Sequence, residues 1–290
     1  MNVLNVRIDN LSITEVLEKV TEFLNSNKSH KIFTPNPEIL VDAQKDNYFK
    51  TVLNSGDLNV CDGTGLKLAM WLPHSFQEGV GLPDMPSRQA GGVAEADETP
   101  ANSTGLRPPP LRKRRITRYP GIDLMHDICA FAEKTNKSVY LLGSGSEEVI
   151  RKTGDELRKK FKNLQIVGLN KGMKIKRLKD YKISYDKEEN DEIVQQIIMS
   201  APDILFVAFG HGKQEKWINE NLKDLPSVRI AMGVGGAFDY ISGTVKRAPL
   251  FLRQIGLEWL YRLIKQPQRI KRIWKATVVF IYYLCFHKKV

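Results

Sequence analysis

The chain is poor in the residues that build closed chemical frameworks. Its 290 residues hold three cysteines, Cys61, Cys129 and Cys285, an odd number spread far apart. That spacing excludes a disulfide framework and a cysteine zinc site, and it points to reduced thiols in a cytosolic compartment. The five histidines are scattered and the chain has no Asp-x-Asp pair, so no metal centre is expected. Long apolar runs are missing as well. The run Ala276–Phe286 has eleven residues, whereas a helix needs roughly 20 to cross a bilayer. The opening "MNVLNVRIDN" lacks a basic stretch followed by an apolar one, so no secretory leader is expected.

Acidic residues are what the C-terminal segment lacks. Residues 246–290 carry eleven Lys and Arg against one acid, Glu258. This segment supplies +10 of the net charge of +11, which leaves the body close to neutral. A tail of this kind seeks phosphates, whether of nucleic acid, anionic lipid or a diphosphate ligand. Two helical patterns divided at Pro267 run through it, 248–266 and 267–289. Basic residues flanking the short apolar run suit a segment lying in a membrane interface.

Upstream of the tail, strand and helix signals alternate. Strands are expected at 2–8, 30–34, 57–61, 138–143, 164–170, 203–210 and 229–236. Helical patterns fall between them at 12–26, 36–46, 64–72, 121–135, 144–161, 192–199 and 213–222. Ser12 with Glu15 makes a capping box for the first helix, Pro37 suits a helix's first turn, and Ser144 with Glu147 opens the helix after 143. Repeated βα units with apolar strands predict an α/β fold: a Rossmann-like parallel sheet covered by helices on both faces, with a basic helical C-terminal appendage. The expected division is a core, 1–245, and the appendage, 246–290. One stretch, 73–117, does not fit the alternation. It holds seven of the fourteen prolines and the run "RKRR", and its composition is that of a loosely ordered or disordered insert.

Ligands of open parallel sheets bind at the carboxyl ends of the strands, and several polar residues fall there. Asp62 follows the strand 57–61 and precedes Gly63, which is also an ordinary way to make a turn. In "TPNPE", two prolines stiffen a turn that presents Thr34 and Asn36, although Asn36 equally suits a helix cap. Three glycine-rich turns, "GSGSEE" with Gly143 and Gly145, "GHGKQE" with Gln214, and "GVGGAFD" with Gly235 and Asp239, would let backbone N–H groups approach a phosphate. "GSGSEE" is only part of a dinucleotide fingerprint, because Glu148 stands where the third glycine belongs. That departure disfavours a nicotinamide-dependent oxidoreductase. In the tail, Arg262, Arg269 and Arg272 are spaced by seven and three, so they share a face if the two helices run on. Guanidinium forks there suit phosphate oxygens; a generic membrane-attracting face is the other reading.

These blocks occur in an order that resembles the WecG/TagA/CpsF family of bacterial glycosyltransferases: "TPNPEILVDAQKD", "DLNVCDGTGL", "RYPGIDLM", "VYLLGSGSE", "PDILFVAFGHGKQEKWI", "GVGGAFDYISGTVKRAP" and "GLEWLYRL". The resemblance covers nearly the whole chain except 73–117, which falls where the family has a much shorter connection. It implies an inverting transfer of N-acetylmannosamine, or a related sugar, from UDP to the 4-hydroxyl of N-acetylglucosamine on undecaprenyl diphosphate, for teichoic acid linkage units or surface polysaccharide. By the same resemblance Asp62 is the general base, Thr34 and Gln214 line the sugar pocket, and Arg118 lies near the leaving group. Arg262, Arg269 and Arg272 then grip a diphosphate, without a metal or other cofactor. The implied enzyme is cytoplasmic and peripheral, held at the inner face of the cell membrane by its tail, and self-association is open. The competing reading is a nucleic-acid or anionic-membrane binding module on an inert α/β body. Trp259, Tyr261 and Trp274 in the tail favour a bilayer over a nucleic-acid groove.

Overall fold

The chain opens with a hairpin, β1 (Asn2–Val3) and β2 (Val6–Arg7). It turns at Leu4 and Asn5, which take φ of 50° and 59° where one strand was expected throughout. This is a computed structural model, and it describes residues 1–63, 65–66 and 118–286. The helix expected at 64–72, apart from Gly65 and Leu66, and the whole stretch 73–117 lie outside the described residues.

Six strands form the central sheet: β3 (His30–Phe33), β4 (Leu58–Asn59), β5 (Ser138–Gly143), β6 (Gln165–Asn170), β9 (Ile204–Ala208) and β10 (Ile230–Gly233). Their order is β4-β3-β10-β9-β5-β6 and every pairing is parallel. A second hairpin, β7 (Lys176–Arg177) and β8 (Ile183–Ser184), stands apart from it. The inner strands β5, β9 and β10 are buried on both faces because they are apolar at successive positions, while the edge strand β6 is partly exposed. In β9, Leu205 and Val207 enter one hydrophobic core while Ile204, Phe206 and Ala208 enter the other. This two-sided burial is the parallel α/β signature that the uninterrupted apolar runs announce.

Helices cover both faces. α1 (Ile13–Asn25) begins with the expected Ser12–Glu15 capping box, and α4 (Gly121–Lys134) and α5 (Glu147–Lys160) lie with it on one face. α2 (Pro37–Lys45), α3 (Asn47–Asn54), α6 (Lys187–Ser200) and α7 (Gln214–Asn221) cover the other. α8 (Ala237–Ile241) follows β10. The cap of α5 is Ser146, not Ser144: its Oγ accepts from the Val149 N–H at 3.4 Å, while Ser144 takes a left-handed φ of 79°. The short α3 and the β7–β8 hairpin were not among the expected elements, although Phe49, Val52 and Leu53 of α3 are its buried residues at helical spacing.

The tail differs from the two-helix expectation. α9 (Leu250–Gln254) and α10 (Glu258–Lys265) are separated at Gly256, whose φ is +81°. A 3-10 turn at Pro267–Arg269 follows, then α11 (Ile270–Trp274), a π turn at Lys275–Val279 and α12 (Phe280–Phe286). The apolar run was expected to lie in an interface, yet Phe280 and Leu284 are buried in the same core as Leu40 and Val41 of α2. The end of the tail is folded back onto the body. No helix among the described residues is long and apolar enough to cross a membrane.

Candidate active site

A cleft of about 500 Å³ opens above the carboxyl ends of the strands. It is bounded by the segments after β3, β4, β5, β9 and β10, and the tail closes its outer wall. Thr34, Asn36, Asp62, Arg118, Gln214, Gly235, Asp239, Arg262, Arg269 and Arg272 all line it; Gly143 and Gly145 do not.

Asp62 is fixed from both sides. Its N–H donates to the Pro35 carbonyl at 3.0 Å, and its Oδ2 accepts from the Gly121 N–H at 3.4 Å, at the start of α4. The neighbouring Tyr119 N–H donates to the Cys61 carbonyl at 3.0 Å, which seats the start of α4 beside the carboxylate. Burial pushes the Asp62 carboxyl above its ordinary range, against the opposing pull of Arg118, Arg262 and the Gly121 N–H; the nearby Glu258 adds to the rise. A carboxylate so placed is a stronger base than an exposed aspartate. Thr34 lies against Gly121, where a Cβ would meet its Oγ1 at 3.2 Å. Asn36 serves as the cap of α2, its Oδ1 accepting from the Ile39 N–H at 3.0 Å, while also lining the cleft.

In the glycine turns the N–H groups of Ser144, Gly145 and Gly235 already have acceptors within the protein. The Gly145 N–H donates to the Lys171 carbonyl at 2.9 Å, and the Ser144 N–H to the Ala208 carbonyl at 3.1 Å. Gly143 is required for packing: its φ is +112° and a Cβ would sit 2.7 Å from the Ala208 backbone. The Gly235 N–H is taken by Gln214 Oε1 at 2.9 Å. The expectation that an N–H faces a ligand is therefore corrected at Gly145 and Gly235, because the protein's own acceptors occupy both, although Gly235 still lines the cleft. Gln214 is in turn held by Glu215, whose Oε1 accepts from the Gln214 Nε2 at 2.9 Å. One amide N–H of Gln214 remains for the cleft.

The arginines are held by acids to different degrees. The Arg118 Nη2 and the Arg262 Nη2 each donate to Glu258, at 2.9 Å, through its two oxygens. Arg262 also lies 4.8 Å over the Tyr240 ring. Arg272 forks onto Glu38 of α2, at 3.0 Å from Nε and 2.9 Å from Nη2. Arg269 bonds Gln266 through its Nε, and among the described residues no carboxylate pairs with it. Desolvation, then the crowding of Arg272 and Arg262, lowers its pKa, only partly opposed by Glu38. Asp239 of α8 faces it; burial pushes the Asp239 carboxyl up and Arg269 opposes the shift. The tail helices are not continuous, since Gln266 is non-helical, yet all three arginines reach the cleft.

Glu38, Asp42 and His211 bring ligand atoms within 4.8 Å of one another, a grouping able to hold a cation. Both carboxylates are engaged by the tail instead: Glu38 by Arg272, and Asp42 by the Lys275 ammonium at 2.8 Å. His211 Nε2 lies 3.0 Å from Asp42 Oδ2, so Nε2 carries the proton and Nδ1 is left to accept from Arg272 at 3.3 Å. Burial would raise the Asp42 carboxyl, but the His211 and Lys275 contacts outweigh it and hold it down at about 2. The cluster is a latch between α2 and the tail. Sequence reasoning missed it, along with Glu258, Tyr240 and Trp259 in the cleft wall. The one signal was Glu258 standing alone among eleven basic residues.

With this geometry in place the comparisons are specific. Among protein families, the chain matches the one described as "Glycosyl transferase WecG/TagA/CpsF family" over residues 1–94 and 110–290. The unmatched residues 95–109 lie inside the stretch 73–117 that the sequence sets apart. A Bacillus spizizenii protein named N-acetylglucosaminyldiphosphoundecaprenol N-acetyl-beta-D-mannosaminyltransferase is 30% identical over 253 residues, covering 87% of this chain and 78% of its own length. A Staphylococcus aureus protein of the same name is 26% identical over 291 positions, covering 100% of this chain and 93% of its own. The chain belongs to the WecG/TagA/CpsF family of glycosyl transferases.

Proposed function

We propose that the chain is an inverting glycosyltransferase that moves N-acetylmannosamine, or a closely related sugar, from UDP to the 4-hydroxyl of N-acetylglucosamine carried on undecaprenyl diphosphate. The observation that carries this reading is Asp62, a carboxylate made more basic by burial, facing a cleft that also holds four arginines. The relatives' names supply the acceptor and the sugar.

In the reaction, Asp62 takes the proton of the acceptor hydroxyl as its oxygen forms a bond to the anomeric carbon. The bond from that carbon to the diphosphate oxygen breaks on the opposite face, and UDP leaves with the electron pair. Inversion follows from that single displacement. Charge developing on the diphosphate falls to guanidinium groups, foremost Arg269. Among the described residues the buried Nε–H groups of Arg118 and Arg262 have no hydrogen-bond partner, and they suit an acceptor oxygen. Thr34 and the free amide N–H of Gln214 suit sugar hydroxyls. On this reading the diphosphate charge falls to the arginines and not to a divalent ion, in keeping with the engagement of the Glu38–Asp42–His211 cluster by tail cations.

The outer surface of the tail suits the lipid carrier. Phe251, Ile264 and Trp274 are 67%, 69% and 57% exposed, beside Arg253, Lys265 and Lys271. Apolar residues of this size flanked by cations suit the interface of an anionic membrane, here the cytoplasmic face of the cell membrane. A nucleic-acid module is less well matched, since the exposed residues are aliphatic as well as aromatic.

The test is sugar transfer from the UDP donor to a lipid-linked N-acetylglucosamine diphosphate by wild type and by Asp62→Asn. Transfer that falls by about 10²- to 10⁴-fold in the variant, the usual contribution of a general base, supports the reading. Transfer unchanged in Asp62→Asn would return that residue to a turn.

A further inference from the structure

Glu258 is a buried carboxylate, 7% exposed, in the first turn of α10. Each of its oxygens accepts from a different arginine, and the two come from different parts of the molecule. Arg118 belongs to the body and enters the cleft beside Asp62; Arg262 belongs to the tail, one turn beyond Glu258. Arg118 additionally donates to the Arg253 carbonyl at the end of α9, at 3.3 Å. A carboxylate at this depth persists only when paired, and here the pairing joins tail to body at the wall of the cleft. Desolvation would raise the Glu258 carboxyl, but Arg262 and Arg118, with Arg247 behind them, hold it below its ordinary range.

We propose that Glu258 is the positioning residue that turns docking of the C-terminal segment into completion of the diphosphate side of the cleft, by holding Arg118 and Arg262 on one carboxylate. The proposal rests on the reaction given above. It separates two duties among the tail arginines. Arg262 is aimed by Glu258 and braced on Tyr240, so its free N–H groups are pre-oriented; Arg269, faced by Asp239 but with no carboxylate at ion-pair distance among the described residues, is left for the ligand's charge. Pre-orientation of this kind matters because a displacement of about 1 Å in a positioning group costs on the order of 10²-fold in rate.

Glu258 also acts on Asp62 through space. The charged groups facing Asp62 are Arg118, Arg262 and Glu258, with the Gly121 N–H at the start of α4. Arg247 stands further out, forked onto Asp123 of α4 at 2.6 and 2.8 Å. Removing the negative charge of Glu258 leaves the arginines unopposed, so the Asp62 pKa falls and the acidic limb of the rate profile moves to lower pH.

The experiment compares wild type, Asp62→Asn and Glu258→Gln, by transfer rate across pH and by hydrogen exchange over residues 250–274. Glu258→Gln keeps the shape and one acceptor oxygen but loses the charge. The expected result is a roughly 10²-fold loss in transfer, an acidic limb displaced to lower pH, and faster exchange in α10. A loss of rate with the limb unmoved would make Glu258 a merely structural residue and overturn the proposal, as would a wild-type rate with wild-type exchange. A wild type that transfers no sugar would overturn the reaction instead. The exchange of α10 would then decide alone whether Glu258 joins tail to body.

Discussion

Phe280→Ala tests whether the tail docks as a unit. Phe280 is 1% exposed and Leu284 9%, both in the core shared with α2. Burying two such side chains contributes about 1.5–3 kcal/mol each. The latch pairs Lys275–Asp42 and Arg272–Glu38 have one partner 34% and 47% exposed, and pairs of that exposure contribute about 1 kcal/mol or less each. The apolar contacts therefore dominate docking and the ions mainly set its register. Truncating a buried Phe costs about 3–5 kcal/mol, which shifts the balance between docked and undocked tail by a factor of roughly 10² to 4 × 10³. Hydrogen exchange over residues 270–286 should accelerate by that factor while β5 and β9 stay protected, and transfer should fall in parallel. If the tail amides keep their protection while the whole protein loses stability, the tail is part of one cooperative core and the reasoning fails.

Two further outcomes follow from buried charge. Asp46 is 6% exposed; its Oδ1 caps α3 through the Phe49 N–H at 2.8 Å and its Oδ2 pairs with the fully buried Lys216 ammonium. Asp46→Ala should cost about 1 kcal/mol for the cap plus about 3–5 for the stranded ammonium, read from urea unfolding, and adding Lys216→Met should recover most of the second part. Asp42 titrates at about 2 in the folded protein, below its ordinary 3.8. Its stabilising contribution is therefore complete above the unfolded value and lost as pH falls from about 4 towards 2. Acid should loosen the tail in that window without releasing it, and Asp42→Asn should show the same modest rise in exchange over 270–286 near neutral pH, smaller than that of Phe280→Ala.

Much of the sheet was legible because parallel strands buried on both faces are apolar at successive positions, as in "ILFVA" and "SVYLLG". The placement of polar residues at strand ends was legible for the same reason: once the strands are located, the ends of Thr34, Asp62 and Gln214 are determined. The duty of each glycine was not. Whether an N–H faces a ligand or a neighbouring carbonyl depends on partners such as Lys171 and Ala208, which lie in other βα units. Glu258 was hidden similarly, since its partner Arg118 is 140 positions away and within α10 it reads as an ordinary first-turn acid. The tail misled by composition. Eleven apolar residues suit a membrane interface, and only the position of Phe280 and Leu284 on one side of α12 against α2 shows that part of the run is core.

The placement of α2 has a consequence of its own. Its N-cap Asn36 lines the cleft, while Glu38 in its first turn and Asp42 one turn further on hold the tail. Ligand and tail thus draw on one helix, and thermodynamic reciprocity relates them. If tail docking tightens a diphosphate ligand by some factor, that ligand must favour the docked tail by the same factor. A titration of ligand affinity in wild type and Phe280→Ala, and a titration of tail protection with and without ligand, should then return one coupling constant from two unrelated signals.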